Sequence, residues 1–99
     1  MVAKEPCVYI LASGRRGYIY IGVTSDLPQR YWQHQTGAFE GFAKARNCKR
    51  LVRAEMLATM EEAITREKQL KNWHREWKIN LVESDNPDWR DLGPEYGLR

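Results

Sequence analysis

Ninety-nine residues, 42% of them hydrophobic and with a net charge of +3, make one domain (1–99) with a modest core and no separate substrate-binding domain. No apolar run approaches the roughly 20 residues of a membrane span, and Met1-Val2-Ala3-Lys4-Glu5-Pro6 has no signal-peptide core, so a cytoplasmic protein with no membrane partner is expected. Charge is unevenly spread: residues 83–99 hold five acids and two bases (−3), while the first 82 residues hold 14 bases and 8 acids (+6).

The first elements are two tyrosine-bearing strands, Cys7-Val8-Tyr9-Ile10-Leu11 and Tyr18-Ile19-Tyr20-Ile21-Gly22, joined by the hairpin loop Ser13-Gly14-Arg15-Arg16-Gly17. If residues 14–17 form the loop, Ser13 faces Tyr18, Leu11 faces Tyr20 and Tyr9 faces Gly22. Side chains alternate along a strand, so both phenols fall on one face, beside a glycine with no side chain to block it. Next, Asp26 can cap a helix, with Gln29 as its capping-box partner and Pro28 tolerated in the first turn. That helix should stop near Gly37. Leu27 and Tyr31 give it an apolar stripe, and Arg30 and His34 stack one turn apart.

Residues 37–48 have two glycines and no clean period, which reads as a loop with room for a short helical turn. Residues 50–57 follow as a third strand, with Leu51, Arg53, Glu55 and Leu57 on one face and Val52, Ala54 and Met56 on the other. Lys44, Arg46, Lys49, Arg50 and Arg53 fall within ten residues that contain no acid. With Arg15 and Arg16 at the hairpin tip they form the footprint of a polyanion binder, although basic loops are equally ordinary solvated surface. Cys7 and Cys48 fit no metal-ligand spacing and are expected as two free thiols in a reducing compartment.

Thr59-Met60-Glu61-Glu62 is a second capping box and opens the strongest helix. Met60, Ala63, Leu70, Trp77 and Leu81 project to one side, and a break between Asn72 and Arg75 divides the segment in two. The close of the chain, from Asn86 to Pro94, is turn-rich.

Glu67 lies near the middle of that apolar side, where an ionised carboxylate is rare unless paired or metal-bound. Two readings stand side by side: a magnesium ligand, or a buried ion pair with Arg30 or Arg53. Arg30 can grip a phosphate through two N–H donors, while His34 can equally cap or pack. Tyr9 and Tyr20 are ordinary strand residues unless a nearby cation favours loss of a phenolic proton. Of the four tryptophans, Trp77 is assigned to the core and Trp32 and Trp73 to the surface.

Val8-Tyr9, then Tyr20-Ile21-Gly22, then Arg30, His34 and Glu67 together resemble the GIY-YIG nuclease superfamily. More narrowly, Tyr20-Ile-Gly-Val-Thr-Ser-Asp-Leu, Ala63-Ile-Thr-Arg-Glu-Lys-Gln-Leu-Lys and Asn86-Pro-Asp-Trp-Arg-Asp-Leu are similar to its small stand-alone bacterial group of excision-repair-nuclease-like (UPF0213-type) proteins. The resemblance spans nearly the whole chain. It implies an α+β fold, a small three-stranded antiparallel sheet flanked by helices, and cleavage of DNA dependent on Mg²⁺ or Mn²⁺. It further implies Tyr9, Tyr20, Arg30, His34 and Glu67 as catalytic residues, Glu67 as metal ligand, Gly22 as a motif residue and Asn86 as a further site candidate. Two positions depart from the pattern: Cys7 stands where the first motif has glycine, and Val23 where several related nucleases carry lysine. A nucleic-acid-binding module of the same fold with lost turnover is the alternative. A third reading has the acidic tail and tryptophans meeting a protein partner, or the tail masking the basic face.

Overall fold

A computed structural model describes residues 5–38 and 41–98 of the chain. The Phe39–Glu40 part of the expected loop and the first four residues lie outside the described residues. Three strands, β1 (Cys7–Ala12), β2 (Ile19–Thr24) and β3 (Arg50–Met56), form one antiparallel sheet in the order β2-β1-β3. The hairpin register is the one that alternation predicts, with Leu11 opposite Tyr20 and Tyr9 opposite Gly22. Beyond the paired residues, Ser13 N donates to Tyr18 O at 3.1 Å and Tyr18 N donates to Ser13 Oγ at 2.9 Å. These bonds tie the loop to the strand ends.

All six residues of β1 are buried, as a central strand covered on both faces requires. On one face Val8, Ile10, Ala12, Ile21 and Val52 pack with Ala63, Leu70, Ile79 and Val82 from α3 (Met60–Lys71) and α4 (Arg75–Asp85). On the other, Cys7, Tyr9, Leu11 and Leu51 meet Leu27, Tyr31 and Ala43 from α1 (Leu27–Thr36) and α2 (Phe42–Ala45). The phenols therefore belong to the α1 face. Both expected caps form. Asp26 accepts from Gln29 N at 3.2 Å and Thr59 from Glu62 N at 3.1 Å, each stabilising its helix by about 1 kcal/mol. Gly37 closes α1 in the left-handed conformation at φ 74°, where a β-carbon is unfavourable.

Two expectations are corrected. Leu11 pairs with Leu51 but Ile10 pairs with Arg53, so β3 carries one extra residue, Val52, at a bulge. Strict alternation put Leu51 and Arg53 on one face; the bulge turns them to opposite faces. Second, the break after Lys71 shifts the helical phase, so Ile79 and Val82 point inward and Trp77 is 54% exposed. The close of the chain is turn-rich as expected, and it also contributes to the core. Trp89 is the largest fully buried side chain, and its Nε1 donates to Glu83 at 2.7 Å.

Asp91 fastens this segment in place. Its carboxylate accepts from Leu51 N at 3.1 Å, Gly93 N at 2.9 Å and the Tyr31 hydroxyl at 2.6 Å. Leu92 N donates to Leu51 O at 2.7 Å, so the tail satisfies backbone groups that the edge strand β3 would otherwise expose. The acidic tail does fold back, and Glu83 and Asp85 pair with Arg16 and Arg53 of the basic set. Trp89→Ala should lower unfolding stability by about 3–5 kcal/mol, read as a shifted urea midpoint at an unchanged slope.

Candidate active site

Three rings meet on the α1 face of the sheet. The centroids of Tyr9 and Tyr20 are 6.2 Å apart, those of Tyr9 and His34 5.7 Å, and those of Tyr20 and His34 5.5 Å. Each pair is tilted, between 45° and 59°, the offset that aromatic quadrupoles favour over face-to-face stacking. The strand register brings the phenols together, and one helical turn from Arg30 to His34 brings the imidazole. A 3.1 Å hydrogen bond joins the Tyr9 hydroxyl to His34 Nε2. Tyr9 is 1% exposed, whereas Tyr20 is half-buried. Tyr9 is thus the floor of the site and Tyr20 its rim.

The electrostatics separate the two groups that the fold hides. Burial pushes the Tyr9 phenol well above its ordinary value; Tyr20 adds to that, and the charge and hydrogen bond of Arg30 oppose it. Tyr9 stays protonated at neutral pH. His34 moves the other way: burial, and then the Arg30 cation, lower it from 6.5. It is a neutral imidazole at neutral pH, able to accept a proton. Arg30 acts on both groups, which places its charge at this cluster.

Gly22 does something other than leave the face open. A β-carbon there would lie 2.4 Å from Tyr9 Oη and 2.5 Å from its Cζ. The Tyr9 ring fills the space that a side chain would take, and the hydroxyl reaches His34 across the bare backbone. Adjacency of a glycine and a buried phenol is what the motif secures here.

Glu67 sits on α3, the helix on the opposite face, which packs over β2 and β1. Its side chain is 15% exposed, and it meets Lys71 Nζ at 3.4 Å, one turn along its own helix. The expected pair with Arg53 does not form. Arg53 is instead held by Glu55 at 2.8 Å and by Asp85 at 2.6 Å. Among the described residues no group of three or more His, Cys, Asp or Glu side chains could hold a metal. A hard oxygen donor such as Glu67 still fits Mg²⁺, which needs only one or two carboxylates when waters and a substrate phosphate complete its shell.

The other candidate residues divide by what they touch. Asn86 caps α4 and is fully buried; its amide donates to Val52 O at 3.3 Å and Arg90 O at 2.9 Å, and Arg90 N donates back at 3.3 Å. Its side-chain amide thus ties the end of α4 to β3 and to the turn at Arg90. Arg16 is clamped to Glu83 by two bonds of 2.8 and 2.9 Å, and that pair holds the Glu83 carboxyl down at about 2. Arg50 donates to Trp89 O at 3.1 Å. Arg15, Lys44, Arg46 and Lys49 are exposed, as are Arg16 and Arg50 despite their bonds, and these six form the solvent-facing part of the basic set. Cys7 and Cys48 are free and buried, and burial pushes the Cys7 thiol up to about 11. Sequence reasoning did not single out Tyr18 and Phe42, whose exposed rings stand 6.2 Å apart; the period-two spacing of Tyr18 and Tyr20 was the available signal.

A sheet that carries paired phenols beside a motif glycine, with a helix arginine and histidine above them, defines a nuclease-family scaffold. The family model described as the GIY-YIG catalytic domain matches residues 5–80, and the chain belongs to that family. It is similar to UPF0213 protein SSP2268 of Staphylococcus saprophyticus, at 32% identity over 75 residues that cover 76% of this chain and 90% of that one. UPF0213 protein SA0446 of Staphylococcus aureus is 33% identical over 67 residues, covering 68% and 82%. Among solved structures, the solution NMR structure of UPF0213 protein BH0048 from Bacillus halodurans matches with a TM-score of 0.56 at 28% identity, over 89% of this chain and 93% of that one.

Two measurements probe this geometry. Gly22→Ala should cost about 1–3 kcal/mol by forcing the Tyr9 ring aside. In a cycle with Tyr9→Ala the two losses should be non-additive by more than about 0.5 kcal/mol; additive losses would separate the two residues. His34, whose native pKa is depressed, contributes stability that is present above 6.5 and is lost as pH falls through the lowered value. Stability should therefore drop on acidification from neutral pH, and His34→Gln should flatten that part of the profile in pH-resolved urea melts.

Proposed function

We propose that this protein is a cytoplasmic endonuclease that hydrolyses DNA phosphodiester bonds with Mg²⁺ or Mn²⁺ held at Glu67, acting on branched, nicked or damaged DNA in repair. The observation that carries the reading is the convergence of Tyr9, Tyr20 and His34, under the charge of Arg30, in a chain of the GIY-YIG family. Arg30 presents parallel N–H donors to the scissile phosphate and offsets the charge that grows as phosphorus becomes five-coordinate. The attacking water forms the new P–O bond, and the bond to the 3′ oxygen breaks, its electron pair staying on that oxygen, which takes a proton from solvent to become the 3′ hydroxyl. Tyr20, at the rim, takes the water's proton as its own phenolic proton passes to neutral His34. Tyr9 remains a protonated phenol that fixes the imidazole and can donate toward water or phosphate. Bound Mg²⁺ would supply charge neutralisation at the phosphate and the leaving oxygen.

A second reading, DNA binding without turnover, rests on Val23. That side chain packs into the core on the α3 face and brings no cation to the phosphate. It predicts binding that weakens steeply with salt and no product with any divalent ion.

Incubation with supercoiled plasmid and with junction and nicked duplexes in Mg²⁺ distinguishes the two. Wild type should nick, Tyr20→Phe should be slower by roughly 10²- to 10⁴-fold, and Glu67→Ala should be inactive while still binding DNA. Equal nicking by wild type and Glu67→Ala would reject the assignment.

A further inference from the structure

We infer that the protein recognises DNA with an unpaired base beside the scissile phosphate, stacking that base on an aromatic platform made by Tyr18, Phe42 and Arg46. This rests on the nuclease reading for its substrate class and extends it to the form of DNA that is cut.

Tyr18 and Phe42 are 51% and 48% exposed, although each ring could bury roughly 150–250 Å² in a core. Their centroids are 6.2 Å apart at an interplanar angle of 80°. The Arg46 guanidinium lies 4.8 Å from the Tyr18 centroid and 5.9 Å from that of Phe42. Two solvent-facing rings under one cation suit a flat, electron-rich partner attached to a phosphate. Aromatic and guanidinium planes both stack on nucleobases, and the cation is drawn to the backbone. The position is fixed by secondary structure. Tyr18 directly precedes β2 and is tied by the Ser13 bonds to the end of β1, and Phe42 and Arg46 belong to and follow α2, on the sheet face that holds Tyr9 and Tyr20.

Spacing connects the platform to the candidate centre. Tyr18 is two residues from Tyr20, about 6.6 Å at a strand rise of roughly 3.3 Å. Successive phosphates of one DNA strand are separated by about 3.4 Å along the helix axis, so the platform is offset by one to two nucleotides. A base inside duplex DNA is stacked on both faces and cannot lie on this protrusion. An unpaired one can.

The test is equilibrium binding without divalent ions, so it does not depend on cleavage. The probes are a fully paired duplex and the same duplex carrying a short single-stranded gap with 2-aminopurine. Wild type should prefer the gapped probe by roughly tenfold and quench its fluorescence. The double variant Tyr18→Ser, Phe42→Ser should lose preference and quenching together yet bind the paired duplex as wild type does. Tyr18→Phe should retain both. Equal wild-type affinity for the two probes, or no quenching on binding, would overturn the inference, and neither readout requires the double variant to fold. Absence of nicking with quenching intact would instead reject the nuclease reading alone.

Discussion

The ring of Tyr9 lies where the side chain of residue 22 would be, and that close approach organises the whole α1 face. Because Gly22 has no β-carbon, the phenol crosses β2 at van der Waals distance and places its hydroxyl against His34. The hydrogen bond then fixes the imidazole, and α1 is oriented through it. Arg30, one turn earlier on the same helix, is carried to the cluster by that orientation. A single missing methyl group thus couples strand register, helix placement and the charge state of two buried groups. Tyr31 repeats the device at the tail: a β-carbon on Gly93 would lie 2.4 Å from its ring and hydroxyl oxygen, and Tyr31 donates to Asp91. Helix α1 is therefore pinned at Tyr31 and at His34, about one turn apart, by phenols lying over glycines.

The opposite face works by different means. Arg53, Glu55, Arg66 and Asp85 form a connected set of ion pairs at the edge of the α3 and α4 layer. Glu55 is held low in pKa by Arg66 and Arg53 despite burial, which acts the other way. Removing one member would leave partly desolvated charge behind, which costs more than the pair contributes. The set exists because the Val52 bulge turns Arg53 toward α4. Without that extra residue Arg53 would share the face of Leu51, Tyr31 and Tyr9, and a guanidinium would sit in the apolar layer beneath the phenols.

The hairpin, both helix caps and the α3–α4 break were legible because each depends on residues close together in the sequence. Tyr9 and Tyr20 were legible as a pair for the same reason: period-two alternation and a short loop suffice. The bulge was not, since it arises from a mismatch between β1 and β3 that no local pattern in β3 records. The burial of Trp89 and Asn86 was not legible because turn-forming neighbours such as Pro87 and Asp88 suggest surface, and burial there comes from contact with Val52 and Leu51, more than 30 positions away in the chain. Arg16 and Arg53 belonged to the basic count, yet charge composition cannot say which cations meet acids of the tail. Glu67 was recognisable as an anomaly on an apolar stripe, and its near-burial agrees; its partner Lys71 is the local i,i+4 choice.

The division of labour between the two faces bears on how a nuclease of this size would be restrained. Groups that could bind a metal permanently are absent as a cluster among the described residues, and the α1 face offers a neutral phenol, a neutral imidazole and a guanidinium. On the proposed reading, the DNA backbone supplies the missing negative charge: a phosphate pairs with Arg30 on the α1 face, and the ion held weakly by Glu67 on α3, across the edge strand β2, completes its oxygen shell from the same DNA strand. Substrate and cofactor would then bind cooperatively, each raising the affinity of the other by the same factor. A platform one to two nucleotides away adds a second condition, since only DNA that can unstack a base there brings its phosphate fully to Arg30. On that reading, selectivity in so small a domain would come from making the substrate part of the site.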